Sequence, residues 1–166
     1  MSAVMEPTVA DQSALDALVG LLDLESIEVN IFRGNSPDEN RQRVFGGQVA
    51  GQALVAAART IPEPGRLVHS LHAYFLRPGD PSRPVEFHVE RMRDGRGFSV
   101  RRVLAHQHGK VTFAMSASFH LTEAAPIRHT TMAPTVPAPE SLPNLRHLMA
   151  PQLEQVPPME KAIHDG

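Results

Sequence analysis

The sequence predicts an α+β fold in which an antiparallel sheet wraps a long central helix. Residues 43–60 (RVFGGQVAGQALVAAART) are rich in small helix-compatible side chains. Residues 67–121 alternate apolar and polar positions, and Gly and Pro signals cut that alternation into strand-length pieces. The helix over 43–60 spans about four turns at the usual rise. It is entered through Gly46 and Gly47 and ended by Pro62, Pro64 and Gly65. Ala50, Gly51, Ala53, Ala56, Ala57 and Ala58 leave little bulk on any face, so a surrounding backbone can approach closely. A surface helix would show one apolar and one charged stripe instead. Gly51 costs roughly 1 kcal/mol relative to alanine inside a helix, which points to close packing at that turn.

Residues 1–10 read as a loose lead. Asp11 or Ser13 then caps a short helix in which Leu15, Leu18, Leu21 and Leu22 recur at helical spacing, a stripe that must dock on something. Residues 28–34 (EVNIFRG) form a short strand, and 35–43 a polar loop into the central helix. After the helix, residues 67–76 form a strand stopped by Pro78-Gly79-Asp80-Pro81, and 85–93 form the next, with Val85, Phe87 and Val89 on one face. Asp94-Gly95-Arg96-Gly97 is a hairpin signal into 98–106, and His108-Gly109 turns the chain into 110–120. Past Leu121 the periodicity ends: residues 124–166 hold eight of the chain's 15 prolines, which suits a semi-extended linker, with a short helix over 142–149.

At 166 residues the chain suits one domain with a tail. A formal charge of −2 leaves no basic excess to neutralise phosphates along a nucleic acid, so no nucleic-acid partner is expected. The absence of cysteine excludes disulfides, thiolate nucleophiles and Cys-based zinc sites. The N-terminal MSAVMEPTVADQ lacks a signal-peptide core, and no run approaches the ~18 apolar residues of a membrane span. The expectation is a cytoplasmic protein with no membrane partner.

The segments FRG, RVFGGQVAGQAL, LVHSLHAYFLRPGD, RDGRGFSVRRV and ASF, in that order, closely resemble the amino-terminal half of the acyl-CoA thioesterase II family. The likeness spans about residues 15–121. It implies the hotdog fold, with residues 11–122 as the hotdog unit and 123–166 as a Pro-rich linker. It also implies hydrolysis of acyl-CoA to free fatty acid and coenzyme A without a cofactor or metal. Family members carry two hotdog units in one chain, and the resemblance places the water-holding Asp, Ser or Thr, and Gln in the second unit. By the implied pseudo-symmetry those positions fall near Gln48, Val68 and Ala117, none of which can deprotonate water. The unit therefore resembles a degenerate partner to a catalytic one, expected to pair with a second hotdog unit or to form a homo-oligomer through an unpaired sheet edge.

Within that frame the helix start is the most suggestive feature. The backbone N–H groups of Gly46, Gly47 and Gln48 carry the positive end of the helix dipole, suited to a thioester oxygen or a phosphate. The glycines alternatively serve only a tight loop against the sheet. His69 and His72, three apart on one strand, are expected on opposite faces, and His69 is the ionisable candidate for catalysis. Arg96 and Arg101, with Arg91, Arg93 and Arg102 around the same hairpin, could meet coenzyme A phosphates at a pocket mouth. A solvated surface is the other reading of that cluster. Tyr74, Phe75, Phe113, Met115 and Phe119 form core or the wall of an acyl tunnel. No GxSxG elbow is present. A non-catalytic acyl-binding or assembly module is an alternative function. So is a hotdog dehydratase or hydratase, although nothing at the helix start supplies the Asp it needs.

Overall fold

The alternation of residues 67–121 is realised as long antiparallel strands. In the computed structural model, which describes residues 9–37, 42–124, 127, 129–143 and 148–149, the elements run α1 (Val9–Leu22), β1 (Glu25–Glu28), β2 (Ile31–Gly34), α2 (Gly46–Arg59), β3 (Arg66–Phe75), β4 (Val85–Asp94), β5 (Phe98–Gln107) and β6 (Lys110–Leu121). They build a six-stranded sheet in the order β1-β2-β4-β5-β6-β3. Every neighbouring pair is antiparallel. The chain divides into a unit ending at Ala124 and a second from Ala125 to Gly166. In the second unit a 3-10 turn spans Pro139–Ser141, and Leu142 after it is extended. Residues 144–147 of the short helix expected over 142–149 lie outside the described residues, and 148–149 are helical.

Helix α2 packs Gln48, Val49, Gln52, Ala53, Ala56 and Ala57 into the interior. Ala53, Ala56 and Ala57 meet the large side chains of the sheet's inner face, Phe87, Phe113, Met115 and Phe119. The division of labour is simple: the helix is thin where the sheet is bulky, so the two can pack closely. The close packing expected at Gly51 is made by α1, since a Cβ there would stand 3.3 Å from a Leu22 methyl. Only the C-terminal end of the α1 stripe docks. Leu21 and Leu22 are half-buried, while Leu15, Leu18 and Val19 are exposed.

Three expectations change. Helix α1 begins at Val9, inside the span read as a loose lead. The strand expected over 28–34 is a tight hairpin, β1 and β2, turned at Asn30 with φ 65°. Asparagine tolerates that left-handed conformation because its short amide can satisfy neighbours, and here Asn30 Oδ1 accepts from Arg91 Nε at 2.8 Å. Finally, β3 carries a register shift between Val68, which pairs with Phe119, and Ser70, which pairs with Ser118. The extra residue is His69, and it reverses the parity of everything after it.

Candidate functional site

The first turn of α2 opens onto a hollow of about 390 Å³ lined by apolar Val49, Val85, Phe75 and Phe113, with Arg43 and Arg77 among its polar residues. The apolar walls come from the sheet's inner face, and the floor is the helix start. The residue before α2, Phe45, is extended with φ −65° and ψ 126° and makes no side-chain cap. The Gln48 N–H turns back to the Phe45 carbonyl at 3.1 Å. Among the described residues no acceptor is found for the N–H groups of Gly46 and Gly47. Both lack side chains where aromatic rings crowd in: a Cβ on Gly46 would stand 3.0 Å from the Phe75 ring, and one on Gly47 2.5 Å from the Phe45 ring. The two glycines thus leave a pair of backbone donors at the positive end of a helix dipole.

The loop from Gly79 to Pro84 closes one side of the hollow and is tied down by Gln107, which is 6% exposed. Its Nε2 donates to the carbonyls of Asp80 and Arg83, each at 2.9 Å, while its Oε1 accepts from the Asp80 N–H at 2.9 Å. Asp80 in turn accepts from Ser82 and bonds His108 Nε2 at 2.9 Å. The Ser82 hydroxyl, then the His108 bond, pull the Asp80 carboxyl down to about 2, so it is ionised throughout the neutral range. Gln107→Leu removes both the donor and the acceptor and leaves the part-buried loop carbonyls without this partner. It is expected to cost about 1–3 kcal/mol, measurable by urea unfolding.

The predicted site residues separate into two groups at opposite ends of the sheet. Gly46 and Gly47 line the helix-start end. Gln48 is next to them, but its N–H is spent on Phe45 and its side chain is turned inward, Nε2 donating to Asn35 O and Ser36 Oγ, each at 3.3 Å. It is a loop anchor, and the expectation of a third free donor does not hold. Arg96 and Arg101 belong to the far end, where the β4–β5 hairpin meets the C-terminus of α2. Arg101 is fully buried and bonds Thr60, the residue ending α2, through Nε to Oγ1 at 2.7 Å. It is a structural cation and not part of a pocket mouth. Arg96 contributes its carbonyl to Arg66 Nη2 at 3.1 Å, fixing the hairpin instead of facing the hollow. The cations that do stand at the hollow are Arg43 and Arg77. Sequence reasoning passed over them because each flanks a motif, one before VFGGQ and one inside FLRPGD, with nothing in composition to mark it.

His69 is also remote from the helix start. It follows Val68, which pairs with core-facing Phe119, so its ring lies on the sheet's outer face, with Nε2 2.8 Å from Ser118 Oγ and its ring edge-on to His120 at 4.7 Å. His72 pairs with Ser116 and contacts Tyr74, on that same outer face. The expected separation of His69 and His72 onto opposite faces is therefore overturned by the one extra residue between Val68 and Ser70. Gln48, Val68 and Ala117 are not brought together either: Gln48 sits in the first turn of α2, whereas Val68 pairs with Phe119 near the far hairpin.

A hotdog-like wrap, a helix-start donor pair and an apolar hollow beside it are the geometry against which the family can be judged. The model of the acyl-CoA thioesterase N-terminal domain matches residues 36–120, half the chain. The chain belongs to that family. Human acyl-coenzyme A thioesterase 8 is 50% identical over 122 residues, covering 74% of this chain and 38% of the human protein. The acyl-CoA thioesterase 2 of Haemophilus influenzae is 47% identical over 126 residues, covering 76% of this chain and 43% of its own length. In three dimensions the chain is similar to the crystal structure of acyl-CoA thioesterase II TesB2 from Mycobacterium marinum, with a TM-score of 0.67 and 50% identity over 78% of this chain and 46% of that one. The hotdog fold is thereby shown, with the antiparallel sheet and α2 as its parts. This thioesterase N-terminal domain spans about two fifths of the curated relatives it matches and under half of that solved chain.

Proposed function

We propose that this chain is the amino-terminal half of a double-hotdog acyl-CoA thioesterase, which hydrolyses acyl-CoA to free fatty acid and coenzyme A. In this reading residues 11–122 are the hotdog unit and 123–166 the linker, and the protein works in the cytoplasm beside a second hotdog unit or a second copy of itself. The observation that carries it is the helix start, with Gly46 lining the apolar hollow and no acceptor among the described residues for the N–H groups of Gly46 and Gly47. When water adds to a thioester the carbonyl oxygen gains charge, and donors fixed by a helix start stabilise that charge without having to reorganise. Val49, Phe75 and Phe113 suit an acyl chain, and Arg43 and Arg77 suit the phosphates of coenzyme A.

Among the described residues none that lines the hollow carries a carboxylate or an imidazole. The described lining can therefore bind and polarise a thioester but offers no group to take the proton from water, which supports a base supplied by the second unit. That lack equally disfavours a dehydratase. Coenzyme A release from acyl-CoAs of several lengths tests the reading. The chain alone is expected to be slow, and mixing it with a separately produced second unit should raise the rate by about 10²–10⁴, the usual contribution of positioned acid–base groups. Full activity in the chain alone would remove the need for a partner. Silence in the mixture with acyl-CoA still bound would favour the second reading, a non-catalytic acyl-binding module, to which the same base-free lining also points.

A further inference from the structure

We propose that Ser118 and His69 form a second, acyl-accepting site on the outer face of the sheet, in which Ser118 takes an acyl group from a thioester or an activated ester. The site depends on the extra residue in β3. Without it Ser70 would pair with core-facing Ala117, and with it Ser70 joins His69 on the outer face, where the imidazole Nε2 lies 2.8 Å from Ser118 Oγ. That is the distance expected between a nucleophile and its base. The ring is held in orientation by edge contacts to His120 at 4.7 Å and 84° and to Phe98 at 5.7 Å and 63°. Beside it lies a hollow of about 280 Å³ lined by Ser70, His72, Val100, Ser116 and Ser118. Ser70 pairs directly with Ser118, and His72 with Ser116, so hydroxyl donors flank the place where a carbonyl oxygen would gain charge. This hollow shares no lining residue with the one at the start of α2.

The step is an acyl transfer. Ser118 Oγ attacks the carbonyl carbon, a C–O bond forms and the C–S or C–O bond to the leaving group breaks. The hydroxyl proton passes to His69 Nε2 and from there to the departing sulfur or oxygen. Among the described residues no carboxylate bonds His69, so the imidazolium lacks the support that a triad supplies. A single slow acylation, and not rapid turnover, is the expected outcome.

The test treats the full chain with p-nitrophenyl acetate and reads adducts by intact mass and peptide mapping. An oxygen ester is used so that the result does not depend on coenzyme A recognition or on the hydrolysis proposed above. One acetyl group on Ser118 is expected. Labelling should fall at least ~10-fold in Ser118→Ala and in His69→Gln, which keeps a hydrogen-bonding side chain but not a base. It should be unchanged in His88→Gln, whose side chain lines neither hollow. Circular dichroism checks that each variant is folded. Acetyl groups scattered over lysines and histidines, or Ser118 labelling at full rate in folded His69→Gln, would overturn the proposal.

Discussion

Replacing Arg101 with alanine is expected to lower the unfolding free energy by about 3–5 kcal/mol, the cost of breaking a buried charged network. Arg101 is 0% exposed and lies between the end of α2 and the β4–β5 hairpin. Its guanidinium donates to Thr60 Oγ1 at 2.7 Å and Thr60 O at 3.1 Å, to Val100 O at 2.9 Å and Arg93 O at 3.1 Å, and to Asp94 Oδ1 at 2.7 Å. The Arg101 hydrogen bond holds the Asp94 carboxyl below its ordinary range. Asp94 keeps 40% of its side chain exposed, so water screens much of the ion pair itself. Most of the loss should therefore come from the stranded carbonyls at the helix C-terminus and from the vacated volume. Arg101→Lys keeps the charge but cannot reproduce a planar fork with several donors, and it should recover less than half of the loss. Arg96→Ala, at an exposed hairpin position, should stay within about 0.5 kcal/mol. Urea midpoints of the three variants decide the matter. A loss below about 1 kcal/mol in Arg101→Ala would show that the network is not what clamps α2 to the hairpin.

Periodicity made the fold legible, while the site was only half legible. The alternation of Phe113, Met115, Ala117 and Phe119 on β6 corresponds to one buried face, and the alanines of α2 to the face it meets. Gly46 and Gly47 could be read because glycine before a helix has few structural reasons to be there, and here the reason is visible as rings packed where side chains would otherwise stand. The arginines could not be read. Arg96, Arg101 and Arg102 look alike in a string, yet Arg101 faces inward because it shares the parity of buried Ser99 and Val103, while Arg102 faces solvent. Parity alone would have shown this, had it been trusted over the prior that arginines are exposed. The shared face of His69 and His72 was illegible for a different reason: a register shift adds one residue without a sequence signal, and a single inserted residue exchanges the faces of the strand beyond it, His72 included. The β1–β2 hairpin was missed because Val29-Asn30 reads as a continuation of a strand until Asn30 is seen to adopt φ 65°.

If the chain pairs through β3 as proposed, lysines placed together at Leu71 and Tyr74 are expected to disrupt its association with a second hotdog unit. β3 is the last strand of the sheet, pairing only with β6. At ten residues it presents roughly 30 Å of edge. Its apolar side chains are open on both faces: Leu71 is 50% exposed and Tyr74 is 62%, with Leu67 and Val68 beside them. The opposite edge, β1, is short and carries Glu25 and Glu28, features that discourage pairing. An edge that is long, apolar and uncharged invites the reverse, a sheet continued by another strand. Leu71 pairs with core-facing Ala117, and Tyr74 with outward Ala114, so the double substitution puts like charge on both sides of the seam. The expected dissociation constant rises at least ~100-fold, about 2.7 kcal/mol at 1.4 kcal/mol per decade, with the unfolding free energy of the monomer nearly unchanged because both side chains are already half in water. Sedimentation velocity on wild type and variant, with and without a second unit, measures it. A wild-type chain that stays monomeric at tens of micromolar and ignores the second unit would mean that β3 is stable as a bare edge. The polar residues along it, Ser70 and His72, would then have to be enough to protect it.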